Sequence, residues 1–229
     1  MGKLRDVVAM AAFTGALGLG AAAHADVVFY SYGTGAPTLP LVTNFSEDTV
    51  GAAPTHIPAS PAGMSWSGSG EIVDTTASGL AAEPGVAGGV YGTGNFLNIL
   101  SGHSETLTIP AAAEITKIGL YVGSLDSYNS LIFTLQGGAQ LTYTGADLGA
   151  FSGADNGDQL AGNTNGVFDF SFKKAVTSIQ FQSAGNSFEI AGINAADAPE
   201  PATWAMLILG VAMIGCAARR RREAKAVTA

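Results

Sequence analysis

Val167-Phe168-Asp169-Phe170-Ser171-Phe172, followed closely by Thr177-Ser178-Ile179-Gln180-Phe181-Gln182, decides the fold. In the first run Phe168, Phe170 and Phe172 oppose Val167, Asp169 and Ser171. In the second, Ile179 and Phe181 oppose Ser178, Gln180 and Gln182. Successive side chains of a strand point to opposite faces, so each run reads as a strand with one face buried.

Outward from this pair, similar short runs recur: 27–32, 41–45, 71–73, 96–100, 106–109, 115–122, 131–135, 141–143 and 187–193. Glycine, proline or polar breaks separate them, and no long amphipathic helix interrupts them. About ten such runs with turn-rich spacers predict an all-β fold, an antiparallel β-sandwich or jelly-roll-like body over residues 26–198. Residues 33–95, with Pro37, Pro40, Pro54, Pro58, Pro61 and Pro84, read as long loops and edge strands, with Trp66 as a packing anchor. Residues 115–194 are the most regular part. No strand–helix alternation appears, which excludes a nucleotide-binding α/β fold.

Composition agrees. The chain has 31 glycines in 229 residues, above the usual ~7%. Between Asp26 and Pro201 only Lys117, Lys173 and Lys174 stand against 16 carboxylates, a net of −13. Such a body repels phosphate backbones, so nucleic acid is not an expected partner. The single Cys216 lies in the C-terminal apolar run, leaving the body no disulfide and no thiol nucleophile.

The two ends have a different character. Lys3 and Arg5 precede an apolar stretch from Val7 to about Ala23, then Ala23-His24-Ala25. This is the three-part pattern of a secretory signal peptide over 1–25, with Ala23 and Ala25 at the cleavage site and Asp26 as the mature N-terminus. It makes the secretion machinery and signal peptidase expected partners. At the other end Pro199-Glu200-Pro201 precedes Trp204, an apolar run to Ala218, and Arg219-Arg220-Arg221-Arg222. Residues 204–218 would give about 22 Å of helix, short for a ~30 Å hydrocarbon core. Trp204 suits one interface, and four arginines suit the cytoplasmic one as a stop-transfer signal. The two prolines hold Glu200 in an extended segment outside any helix, accessible at the outer face. Residues 223–229 follow as a cytoplasmic tail. The topology expected is body outside and arginines inside, an inner-membrane intermediate with transient membrane association.

Pro199-Glu200-Pro201, Trp204-Ala205 and the arginine run together resemble the PEP-CTERM sorting tail in its PEPxxWA form, found on exported proteins of Gram-negative bacteria. The resemblance covers 199–222. It implies recognition by an exosortase, a membrane-embedded cysteine transpeptidase-like enzyme that cuts near the PEP motif, and delivery to the cell surface or outside the cell. A second resemblance spans 115–194. Gly119-Leu120-Tyr121-Val122-Gly123-Ser124-Leu125-Asp126, Thr144-Gly145-Ala146-Asp147, Asn156-Gly157-Asp158 and Phe188-Glu189-Ile190 are similar to a body domain common among exosortase-dependent surface proteins. That resemblance implies a β-sandwich surface domain. The pattern usually ends Phe-Glu-x-Asp-Asn, where this chain has Ala191 and Gly192.

Reactive constellations are scarce. His24, His56 and His103 are too few for a metal or acid–base site. No G-x-S-x-G, H-E-x-x-H or phosphate-cradling loop occurs. Asp155 and Asp158 are candidate Ca²⁺ ligands in Asp155-Asn156-Gly157-Asp158, but the same residues are ordinary turn formers. No cofactor is expected. The favoured expectation is a non-enzymatic surface or extracellular-matrix protein associated with exopolysaccharide. The alternative is a carbohydrate-binding module, with Tyr121 and Tyr128 stacking on sugar rings and Tyr143 and Trp66 as further aromatic candidates.

Overall fold

The computed structural model describes residues 27–56, 62–85 and 94–197, together with Leu209, Met213 and Ile214. The expected signal peptide and its cleavage residues Ala23, Ala25 and Asp26 lie outside the described residues. So do Pro199, Glu200, Pro201, Trp204, Ala205 and Arg219 to Arg222. Of the expected membrane segment 204–218, only Leu209, Met213 and Ile214 are described; all three are helical and exposed. Among the described residues no helix is long and apolar enough to cross a membrane.

The body is predominantly β, as the alternating runs predict, and every pairing between its strands is antiparallel. In chain order the strands are β1 (Val27–Gly33), β2 (Leu41–Thr43), β3 (Ser65–Gly68), β4 (Glu71–Val73), β5 (Phe96–Ile99) and β6 (Ser104–Thr108). Then come β7 (Ile115–Gly123), β8 (Asn129–Leu135), β9 (Gln140–Thr144), the helix α1 (Gly145–Ser152), β10 (Gly166–Phe172), β11 (Val176–Ser183) and β12 (Phe188–Asp197). One sheet runs β1-β10-β7-β12-β5-β4, with β2 also pairing to β12; the other runs β3-β6-β11-β8-β9.

The runs 167–172 and 177–182 lie in β10 and β11, one in each sheet. Their buried faces meet in a common core. Phe133 of β8 lies 4.9 Å from both Phe170 and Phe172 of β10, ring centre to ring centre, and Tyr143 of β9 lies 5.2 Å from Phe170. Phe181 of β11 meets Phe188 of β12 at 6.4 Å. Offset and tilted ring pairs at these separations add to the burial of large apolar surfaces. Trp66 packs between Phe45 at 5.9 Å and Phe181 at 6.5 Å, so it serves as the expected anchor.

A smaller apolar cluster, Ala81, Phe96, Tyr121, Val167 and Ala191, sits apart from this main core. Tyr121 and Ala191 come from β7 and β12, and Ala81 comes from the segment leading to Pro84. Ala191, where the resembled pattern carries an Asp, thus belongs to an apolar contact. The cluster also explains why β12 is buried from Phe188 to Ala195 rather than alternating.

Register fixes the polarity of the body. Val27 pairs with Phe172, Lys117 pairs with both Ser171 and Ala196, and Ile115 pairs with Asp197. The chain therefore enters and leaves at one end of one sheet, about 14 Å apart at three strand spacings. Lys173 and Lys174 follow Phe172 at that same end, and all three lysines are exposed. The connections β5–β6, β7–β8, β9–β10 and β11–β12 gather at the opposite end.

Candidate functional site

At that opposite end a cleft of about 240 Å³ opens between four segments: Gly79–Ala82, Ser124–Tyr128, Asn156–Gln159 and Asn186–Glu189. Its geometry is set by a turn between β7 and β8. Asn129, fully buried, accepts from the Asp126 N–H at 2.7 Å. Its amide donates to Ser183 Oγ and the Ser187 carbonyl, each at 3.1 Å, which ties this turn to the β11–β12 loop. The Tyr128 hydroxyl lies 2.6 Å from both Asp126 Oδ2 and the Asn186 carbonyl.

Two glycines make the close packing possible. A Cβ on Gly157, whose φ is +68°, would fall 2.6 Å from both carboxylate oxygens of Asp126. A Cβ on Gly185 would fall 2.9 Å from the Tyr128 ring. The first glycine lets the Asn156-Gly157 turn lie against the carboxylate, and the second covers one side of the ring.

Glu189 projects from β12 into the base of the cleft and is buried. Its Oε1 accepts from the Ala82 N–H at 3.0 Å and from the Ser187 hydroxyl, while Oε2 accepts from the Ser124 hydroxyl at 2.6 Å. Burial pushes the Glu189 carboxyl above the usual range, partly offset by the Ser124, Ser187 and Ala82 bonds. Burial also raises Asp126; the Tyr128 bond opposes this and the Asp155 charge reinforces it. The Tyr128 phenol is pushed up as well, by burial first and then by its bond to Asp126. The segment over the cleft is pinned at several points: Asn186 donates to the Gly79 carbonyl at 3.1 Å, Asn98 to the Leu80 carbonyl at 3.2 Å, and Tyr121 to the Gly85 carbonyl.

The sequence candidates fall in different places. Tyr128 lines the cleft. Tyr121 is 3% exposed beneath the pinned segment and offers no ring face to a sugar; Tyr143 is equally buried in the core. Asp158 acts in a turn, its Oδ1 accepting from the N–H of Leu160 at 2.9 Å and of Ala161 at 3.1 Å. Asp155 contributes its carbonyl to the Ser127 N–H at 2.9 Å. Among the described residues no group of three or more His, Cys, Asp or Glu is placed to hold a metal ion. His103 approaches the Ser69 carbonyl at 3.2 Å, and His56 pairs with Glu47 at 3.2 Å, both away from the cleft lining. Sequence reasoning did not assemble Asp126, Gln159, Asn186 and Glu189 into one site, since they come from separate connections.

β12 ends at Asp197, with Ala198 alone between it and Pro199-Glu200-Pro201 in the sequence. Residues 197–222 match the PEP-CTERM protein-sorting motif. The chain thus carries a PEP-CTERM sorting motif, which implies exosortase processing and a secreted or cell-surface destination. No curated protein matches the chain.

Proposed function

We propose that this chain is a non-enzymatic protein of the cell surface or extracellular matrix, held briefly at the inner membrane and then cut at its tail by an exosortase. The observation that carries the reading is the sorting motif at 197–222, set immediately after β12. In this scheme residues 1–25 direct export and are removed by signal peptidase. Residues 204–218, short for a permanent span, hold the chain while Pro199-Glu200-Pro201 is presented. The working protein is then the acidic β body without either apolar end, and the scheme calls for no cofactor.

Strand order supports a jelly roll. In β5 to β12 the first strand pairs with the last, β6 pairs with β11, and β7 and β8 complete the two sheets against β10 and β9. That wrapping is the order of an eight-stranded double-sheet jelly roll, with β1 to β4 added at its margins.

Deleting residues 199–222 tests the reading. Fractionation and immunoblotting should find the body in the periplasm or medium, with C-terminal processing lost. Unchanged membrane retention and processing would overturn it.

A carbohydrate-binding role is the second reading, favoured by one observation: Tyr128 and a set of polar side chains converge on an open cleft at the end of the body away from the tail. Association with exopolysaccharide would follow from such a site.

A further inference from the structure

We propose that this cleft holds a single sugar unit carrying no negative charge, neutral or amino-bearing, within a longer polysaccharide. The inference rests on the carbohydrate-binding reading and narrows its ligand.

Size sets the first limit. At about 240 Å³ the cleft lies below the usual range for drug-sized ligands and matches one ring rather than several. Hydrogen-bonding capacity sets the second. Most polar groups at the rim are already engaged: both ends of the Asn186 amide are used, by the Ser101 N–H and the Gly79 carbonyl. Among the described residues three lining side chains carry a polar atom with no hydrogen bond at all. Asp126 Oδ1 accepts from nothing, the Asn156 amide nitrogen donates to nothing, and the Gln159 side-chain amide makes no hydrogen bond. Together they offer acceptor, donor and both, which suits hydroxyl groups that each donate and accept. The Asp126 carboxylate is already fixed by Tyr128 and packed against Gly157, so little ordering remains to be done on binding.

Charge sets the third limit. Asp126 and Glu189 line the cleft, with Asp155 close enough to act on Asp126, and among the described residues no lysine, arginine or histidine lines it. The three lysines of the body lie at the far end of the sheet. A uronate or phosphate-bearing sugar would add negative charge with no counter-ion, whereas an amine would be attracted.

The test uses the full chain in neutral detergent, titrated with glucose, glucosamine and glucuronate and followed by saturation-transfer NMR. Glucose and glucosamine should bind with Kd on the order of a millimolar, as expected for so small a ligand. Glucosamine should be the tighter of the two, and glucuronate weaker by about tenfold. Gln159→Ala changes an exposed side chain and should weaken both binders about fivefold, the loss of one hydrogen bond. Asp126→Asn should lower the glucosamine-to-glucose preference, with Glu189 and Asp155 keeping the remainder. Glucuronate binding as well as glucose, or binding indifferent to both substitutions, would overturn the inference while leaving carbohydrate binding standing. Silence from all three sugars would sink the carbohydrate reading and this inference together, leaving the sorting assignment untouched.

Discussion

In the middle of the body Phe133 meets Phe170 and Phe172 at 4.9 Å, and the two sheets are joined by ring surfaces. At the far end Glu189 is joined to its neighbours by three hydrogen-bond donors. Both regions are buried and both draw on β12 and its sheet. They differ in what a defect costs: volume in the first, unpaired donors and charge in the second. The core should therefore answer to side-chain size and ignore pH, while the cleft end should answer to pH.

The largest effect is expected in the core. Phe170→Ala removes a ring that contacts Phe133, Tyr143 and Phe172, and should cost about 3–5 kcal/mol. Thermal unfolding should show Tm lower by roughly 10 °C, by a similar amount at pH 5 and pH 8. A loss below about 1 kcal/mol would mean that the sheets are held elsewhere.

Glu189→Ala should cost less, about 2–3 kcal/mol, because the Ala82 N–H and two hydroxyls lose their acceptor. Its pH signature is the sharper comparison. Glu105, Asp126, Asp169 and Glu189 all have carboxyls raised by burial. A carboxyl with a raised folded-state pKa contributes stability that is complete below its unfolded value, 4.5 for the glutamates and 3.8 for the aspartates, and is lost as pH rises through the folded value. Tm should therefore fall between mildly acidic and neutral pH, and Glu189→Gln should reduce that fall. A slope unchanged by Glu189→Gln would assign it to the other three carboxyls.

The smallest effect is expected at α1. Thr144 caps this helix by accepting from the Asp147 N–H at 3.2 Å, and Asp147 Oδ2 accepts in return from the Thr144 N–H at 2.9 Å. Thr144→Ala should cost about 1 kcal/mol by chemical denaturation, with sugar titrations little altered. A loss of several kcal/mol would show that the β9–β10 connection is part of the core rather than an addition to it.

How much of this was legible in the sequence follows from the range of the interactions. Each of the alternating runs overlaps an observed strand, and Glu71–Val73 coincides with β4. Alternation is local, and a strand with one buried face declares itself. β3 escaped because Ser65-Trp66-Ser67-Gly68 has one large apolar residue, and its pairing to β6 supplies what the pattern lacks. α1 escaped because glycines at 145 and 149 hide its helical character, although Thr144 and Asp147 have the spacing of a capping box. The cleft was not legible, since Asp126, Gln159 and Glu189 are joined only by the folding of distant connections. Tyr121 and Tyr128 look alike in sequence; the chain over Tyr121, held by its bond to Gly85, separates a buried ring from an open one.

β12 is the last of the described strands and also an interior one, paired with β7 on one side and with β5 and β2 on the other. Its sheet cannot close until residues 188–197 are in place, so folding is completed late and through contacts distant in sequence. Such topologies fold slowly, because loop closure must precede the contacts that reward it. Until then the exposed edges of β7 and β5 are open to wrong partners on neighbouring chains. On the proposed route, a tail held in the bilayer directly after Asp197 would keep each chain apart from the others while β12 finds its slot.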